Sequence, residues 1–148
     1  MRLWMIGAGA ALCVGGAQAA DAAQVQPVTA GATTFTGSGV VNNCPVTLAG
    51  TFNPAAGTAS ITSVAFAPGV CSAVAAQNLP WTMQAVSTTS VVFHGVRLQS
   101  SILGVCGPGD LTAAWNNTSH QASFTGPLNP GNCPVVGSVT APGVQVIP

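Results

Sequence analysis

The amino-acid sequence predicts an all-β domain, in the form of a disulfide-stapled β-sandwich of about seven to nine strands, mostly antiparallel. Short segments alternate apolar and polar residues with period two, which is typical of half-buried strands. Gly and Pro punctuate the chain roughly every 8–12 residues, and no segment combines helical periodicity with helix caps. Four of the five cysteines form two equally spaced pairs. The chain has no Tyr, so the tyrosine that marks immunoglobulin domains is missing and that topology is not assigned.

Residues 1–19 have the features of a secretory signal peptide. Arg2 precedes a short apolar run, and residues 17–19 (AQA) form a small-residue cleavage site. The run is shorter than the roughly 20 residues that span a bilayer. Cys13 raises the alternative of a lipoprotein anchor, but Leu12 occupies the preceding position, where a small residue is needed. We therefore expect a secreted protein, either extracellular or held at the cell surface, with no transmembrane segment.

The mature chain is almost free of ionisable side chains. It has no Lys and no Glu, and its charged residues are Asp21, Arg97 and Asp110. So few cations exclude the phosphate contacts of nucleic-acid binding and the basic surface that anionic membranes attract. They also leave sheet edges without their usual charged guards, which favours self-association.

Residues 20–34 are predicted to form an N-terminal arm, and residues 35–148 the β domain. Three hairpins are expected in the domain, with turns at NPAAG, STTS and NNTSH. In each hairpin the large apolar residues recur at alternate positions, which places them on one face. The predicted core residues are Phe52, Phe66, Trp81, Trp115 and Phe124.

The strand predicted from about residue 90 to residue 98 has no obvious inner face. Both sides of it are partly apolar. One side carries Val92, His94, Val96 and Leu98, and the other carries Val91, Phe93, Gly95, Arg97 and Gln99. Periodicity alone leaves its burial undecided.

The cysteines predict two disulfides. Three pairings of four cysteines exist, and sequence cannot formally choose among them. The spacing is 27 residues within each pair, and each pair encloses a predicted hairpin, which favours Cys44–Cys71 and Cys106–Cys133. Metal binding is the alternative reading of these cysteines. Because Cys-x-x-Cys and His-x-x-x-His spacings are absent, we predict no metal site and no cofactor.

The scarce acid–base residues favour structural over catalytic roles. Asp110 follows the turn sequence GPG, and His120 follows two turn asparagines. His94 lies between valines on a strand and is expected to be a half-buried or surface residue. No Gly-x-Ser-x-Gly motif marks a nucleophile, so we predict no catalytic residue and no enzyme. Trp81 and Trp115 could stack on sugars, but their phase favours the core.

Several stretches carry a resemblance to a known family. TTFTGSG, NLPWTM, VCGPGDLTAAWNN and GNCPVVGSVTAPGVQVIP resemble the small exported bacterial proteins that activate alkane oxidation, the PRA or PraB group. The similarity covers nearly all of the mature chain. It implies an extracellular, non-enzymatic protein that is linked to growth on hydrocarbons, and it offers no catalytic residues to transfer.

Two mechanisms fit that implication. In the first, the arm of one copy adds as a donor strand to an exposed sheet edge of the next, and fibres form outside the cell. In the second, the neutral domain works at the oil–water interface as an emulsifier and contacts hydrocarbon or the cell surface through apolar patches. An adhesin-like, carbohydrate-binding module is a further alternative. Self-association is the mechanism that the sequence favours first.

Overall fold

The computed structural model describes residues 22–102 and 104–148. These residues form thirteen β-strands and one short 3-10 helix, with no α-helix among them. The signal peptide predicted for residues 1–19 lies outside the described residues, as do the first two residues of the predicted arm.

The strands alternate with short turns along the whole described chain. The first seven are β1 (Gln24–Pro27), β2 (Thr34–Val41), β3 (Cys44–Asn53), β4 (Thr58–Phe66), β5 (Val74–Gln77), β6 (Trp81–Ser87) and β7 (Ser90–Ser100). The other six are β8 (Gly104–Asn116), β9 (Gln121–Phe124), β10 (Pro127–Leu128), β11 (Cys133–Pro134), β12 (Gly137–Thr140) and β13 (Val144–Ile147). The 3-10 helix, Gly69–Ala73, lies between β4 and β5.

Nine of these strands form one antiparallel sheet that closes on itself as a barrel of eight positions. β2, β3 and β4 are neighbours, β6 and β5 share the next position, and β7, β8, β9 and β12 complete the wall. β12 pairs with both β9 and β2, which closes the ring. The all-β class is confirmed, but the predicted sandwich is wrong, because its two edge strands would be β2 and β12 and these pair with each other.

Two glycines allow this closing pair to form. A Cβ atom on Gly39 of β2 would lie 1.9 Å from the backbone oxygen of Ser138. A Cβ atom on Gly137 of β12 would lie 2.1 Å from the backbone oxygen of Val40. Both distances are far inside van der Waals contact, so only glycine lets the two backbones approach this closely.

A change of phase in β7 explains why its inner face was undecided from the sequence. Val91 and Phe93 are buried before the change, and Val96 is buried after it. Gly95 lies between them with φ of 73°, and the register with β8 shifts between Phe93 and Val96. A β-bulge of this kind moves the inward positions by one residue.

The barrel interior is entirely apolar among the described residues, where no polar or charged side chain is buried. Of the predicted core residues, Trp81, Trp115 and Phe124 are buried. Phe52 and Phe66 are half-buried and pack against the core, and the ring centroid of Phe52 lies 5.0 Å from that of Phe35.

A two-stranded lid, β1 paired with β13, packs against one end of the barrel. Val25, Val144 and Val146 of this lid are at most 1% exposed. Asn117, in the turn between β8 and β9, holds the lid in place. Its Oδ1 accepts hydrogen bonds from the indole N–H of Trp115 (2.7 Å) and the backbone N–H of Val146 (2.9 Å), and its Nδ2 donates to the carbonyl of Val146.

We expect Gly39→Ala to destabilise the protein, although Ala favours strands slightly more than Gly does. The added methyl group would overlap the backbone of β12 where β2 and β12 pair, and this would lower the free energy of unfolding by about 2–4 kcal/mol. Gly126→Ala is the matched control, because nothing lies within 4 Å of its Cβ position. Urea unfolding of both variants measures the effect. Equal free energies of unfolding for Gly39→Ala and Gly126→Ala would show that the pairing of β2 with β12 does not require Gly39.

Candidate functional site

The barrel wall brings His94 and Asp110 together on its outer surface. Nδ1 of His94 lies 2.9 Å from Oδ1 of Asp110, and Nε2 lies 3.0 Å from Oε1 of Gln84. The side chains of His94 and Asp110 are 39% and 63% exposed. Both ring nitrogens therefore have oxygen partners, and neither faces a hydroxyl group that the histidine could activate. The arrangement links three neighbouring strands through their outward side chains.

His120 is in a different part of the molecule from Asp110. Asp110 lies six residue steps along β8 from Asn116, at which the turn begins, and this length corresponds to roughly 20 Å. Nδ1 of His120 lies 2.8 Å from the carbonyl oxygen of Val144 in the lid. The two residues whose closeness in sequence suggested chemistry thus form no joint site.

The remaining charged side chain of the described chain is also engaged in a surface network. Nε of Arg97 donates to Oε1 of Gln77 at 2.9 Å, and Nε2 of Gln77 contacts Oε1 of Gln99. No three His, Cys, Asp or Glu side chains of the described residues are arranged to hold a metal ion.

Both disulfides lie at the end of the barrel opposite the lid. They join Cys44 to Cys71 and Cys106 to Cys133, the pairing that the equal spacing favoured. The first ties the β2–β3 turn to the 3-10 helix after β4, and the second ties the start of β8 to β11. All four chain connections at this end are therefore fixed in two pairs, and we call this end the mouth.

An apolar cavity of about 250 Å³ opens between the two disulfides at the mouth. Three disulfide cysteines form part of its wall, and its remaining lining residues are Val41, Asn42, Val70, Val74, Leu98, Ser100, Ile102, Pro134 and Val135. The side chain of Asn42 is already bonded to its own wall, since Nδ2 donates to the carbonyl of Pro134 and Oδ1 accepts from the N–H of Val136. Among the residues that the structure describes, no charged side chain lines the cavity.

The mouth cavity leads toward the barrel core. Val41, Leu98 and Val135 line it from below, and the same three residues line a second, smaller cavity of about 60 Å³ inside the barrel. The inner cavity extends to Phe93, Phe124 and other core side chains and has an apolar lining throughout. Apolar space therefore continues from the surface to the interior with only these three side chains between.

Exposed apolar side chains concentrate around the same end. Of the seven large hydrophobic residues that are exposed in the described chain, five lie there, and we call them the stapled rim: Val40, Val70, Ile102, Val105 and Val136. Val70 is 81% exposed and Ile102 is 77% exposed. Exposed apolar side chains that gather in one region mark a contact surface more often than scattered ones do.

Sequence reasoning missed the mouth. Val70 and Ile102 are single apolar residues in connecting segments, without the periodicity that identified the strands. The available signal was their closeness to predicted disulfides, because Val70 directly precedes Cys71 and Ile102 lies four residues before Cys106. The lid residue Asn117 was also missed as a structural residue.

The tryptophans that raised the possibility of sugar stacking, Trp81 and Trp115, do not form a sugar-binding platform. Trp81 and Trp115 are 7% and 4% exposed, and the indole N–H of Trp81 donates to the carbonyl of Gln77 at 2.8 Å. Their ring faces lie in the core, so the carbohydrate-binding alternative loses the residues on which it rested.

The closed barrel, the two disulfides and the apolar mouth define a class of small, disulfide-bonded β-barrel proteins that are apolar at one end. Among the described residues, no helical segment has the length and hydropathy needed to cross a bilayer. The family model "Alkane oxidation protein activator PraA/PraB-like" matches residues 1–148, and the chain belongs to this family. The resemblance seen in the sequence motifs is thereby confirmed. No curated protein and no solved structure matches the chain significantly.

We expect the double variant Cys106→Ser/Cys133→Ser to fold less stably. Each disulfide closes a segment with a sequence separation of 27 residues, and such a bridge contributes on the order of 3–4 kcal/mol. The melting temperature should fall by roughly 10 °C, measured by circular dichroism. Cys44→Ser/Cys71→Ser provides a comparison with the same loop length. An unchanged melting temperature would contradict a stabilising role for the bridge.

Proposed function

We propose that this chain is a secreted, non-enzymatic surface protein that supports alkane use by making apolar contact with hydrocarbon at the oil–water interface. The family to which it belongs is described as an activator of alkane oxidation, which supports the link to hydrocarbons. Two disulfides support an oxidising location outside the cytoplasm. The observation that carries the proposal is the stapled rim, in which exposed apolar side chains surround an apolar cavity.

A non-enzymatic role is supported by how the ionisable groups are used. His94 and Asp110 bond to each other and to Gln84 on the outer wall, and Arg97 bonds to Gln77. None of these residues lines the mouth cavity. Activation of alkane oxidation is then a matter of bringing hydrocarbon and cell together, while the oxidation itself is carried out by other proteins.

Interfacial contact needs an apolar surface on one side of the molecule and a wetted surface elsewhere. The outer faces of the barrel strands carry Thr, Ser and Gln at their exposed positions, which keep hydrogen bonds with water. The stapled rim provides the apolar side. Transfer of one exposed Val or Ile side chain into oil contributes roughly 1.5 kcal/mol or more, so a few such residues give useful adsorption.

Drop tensiometry against hexadecane tests this proposal. The wild-type protein should lower the interfacial tension, and Val70→Ser/Ile102→Ser should need a concentration about a hundredfold higher for the same lowering, since roughly 3 kcal/mol of apolar transfer is lost. Val28→Ser/Val86→Ser is the matched control, because both residues are exposed but lie away from the mouth. Identical curves for the two double variants, or a wild type without activity, would refute the assignment.

Self-assembly is the second candidate function, and the position of β1 favours it. β1 is joined to β2 by a short linker, and its strand partner in the described chain is β13. The barrel is closed, so the exposed edge that the sequence suggested as an acceptor is paired. Assembly would instead proceed by exchange, with β1 of one copy docking beside β13 of the next and Val25 as its buried anchor.

Electron microscopy of two variants tests the exchange. Deletion of residues 20–33 removes the buried Val25, so we expect a less stable monomer that forms no filaments, and circular dichroism verifies that its barrel is folded. Gln26→Cys/Gln145→Cys should lock β1 to β13 of its own chain, since these positions are register partners, and should also stop assembly. Gln26→Ser/Gln145→Ser controls for the loss of the glutamines. Filaments of wild-type appearance from the deletion or the locked variant would refute exchange.

A further inference from the structure

The mouth cavity has the features of a binding site and not only of a contact surface. Its volume of about 250 Å³ exceeds the roughly 150 Å³ of an engineered apolar cavity that holds one benzene molecule. By proportion, it has room for roughly eight to ten carbon atoms. The disulfides Cys44–Cys71 and Cys106–Cys133 hold its opposite walls, so the space is formed before any ligand arrives.

The lining determines which ligand chemistry fits. The cavity wall is made of aliphatic side chains, a proline, disulfide sulfurs and two polar side chains, Asn42 and Ser100. Both polar side chains already have partners, since the amide of Asn42 is bonded to Pro134 and Val136 and the hydroxyl of Ser100 accepts from the backbone N–H of Ile102 at 3.1 Å. A buried charge or an unpaired hydrogen-bonding group would lose its hydration here without compensation. The inserted part of a ligand must therefore be a saturated hydrocarbon chain.

The surroundings of the opening separate an alkane from a fatty acid. A carboxylate at the end of the inserted chain would gain from a nearby cation. Arg97 is the one Arg or Lys side chain in the described residues, and it bonds to Gln77 and does not line the cavity. The opening is instead flanked by Val70 and Ile102, which continue the apolar wall outward. An uncharged hydrocarbon chain needs no polar partner, so it fits both the cavity and its opening.

We propose that the mouth binds one linear alkane end-first, with its terminal methyl group directed toward Val41, Leu98 and Val135. The inference rests on the proposed contact with hydrocarbon and deepens it, because it replaces general adsorption by a saturable site. The inner cavity below these three side chains offers space into which a longer chain extends when they change rotamer.

Headspace gas chromatography of the folded protein with n-alkanes tests the site. Octane should be retained with a saturating stoichiometry of one per chain. From pentane to octane, each added methylene should tighten the dissociation constant about fourfold. The branched isomer isooctane should bind more weakly than octane, because the opening between the two disulfides admits an end-first chain.

Val74→Trp provides the decisive variant. Val74 lines the cavity and is only half-buried, so an indole there fills the space without entering the core. Octane affinity should fall more than about tenfold, the equivalent of two methylenes. Val86→Trp, at an exposed position away from the mouth, should bind octane like the wild type. Melting curves of both variants verify the fold.

The outcomes separate this inference from the proposed function. Retention of octane that never saturates, or equal binding by Val74→Trp and the wild type, would overturn the site. If the same protein still lowers the tension of hexadecane, interfacial contact stands without it. Saturable binding of decanoate but not of octane would overturn the assignment to alkanes. A wild type that neither saturates nor lowers interfacial tension would refute both proposals.

Discussion

The backbone pairing between β2 and β12 is the interaction on which the rest of this structure depends. A sheet with free edges normally relies on charged side chains to prevent unwanted pairing, and this chain has almost none. Closing the ring removes the free edge strands instead, because every wall strand has a paired neighbour on both sides. The closure requires glycine at Gly39 and Gly137, where any side chain would overlap the opposite backbone.

A closed barrel wall still leaves two open ends, and the remaining elements of the structure lie at these ends. An apolar interior must be covered wherever the wall stops, since water would otherwise reach it. The lid provides this cover at one end, with Val25 and Val146 buried against the core. The other end carries the short β10–β11 pair, the two disulfides and exposed aliphatic residues, and an apolar cavity opens among them. The candidate site therefore lies at that end.

Much of the fold follows from local sequence patterns. Alternation predicts strands because side chains of successive residues point to opposite faces, and Trp115 and Phe124 are buried where that rule places them. The same period of two occurs in a sandwich and in a barrel, so the choice between them depends on pairing between distant strands. Gly39 and Gly137 permit the pairing that closes the barrel, yet in the sequence they are two glycines among 18. The bulge at Gly95 likewise depends on the neighbouring strand.

The candidate site was harder to predict for a related reason. The mouth is assembled from separate chain connections, and residues such as Val70 and Ile102 line one cavity only because the pairing of β5 with β7 and the two disulfides bring those connections together. The ionisable groups illustrate the same point. Asp110 lies ten residues before His120 in the sequence, but strand pairing places it beside His94 instead. Residues that are close in sequence are spread out along one strand, whereas side-chain contacts form between residues of adjacent strands.

The exposed apolar side chains concentrate at the mouth and not at the lid end, so the molecule is amphiphilic along the barrel axis, as a surfactant is from head to tail. β1 and β13 both belong to the lid, so the two ends of the described chain are far from the greasy opening. Under the proposed interfacial function, a layer of such molecules on a droplet would stand upright, with every mouth in the oil and every lid in the water. The droplet would then present one uniform, nearly uncharged coat, and attachment to a cell or to further copies would be made from its wet side.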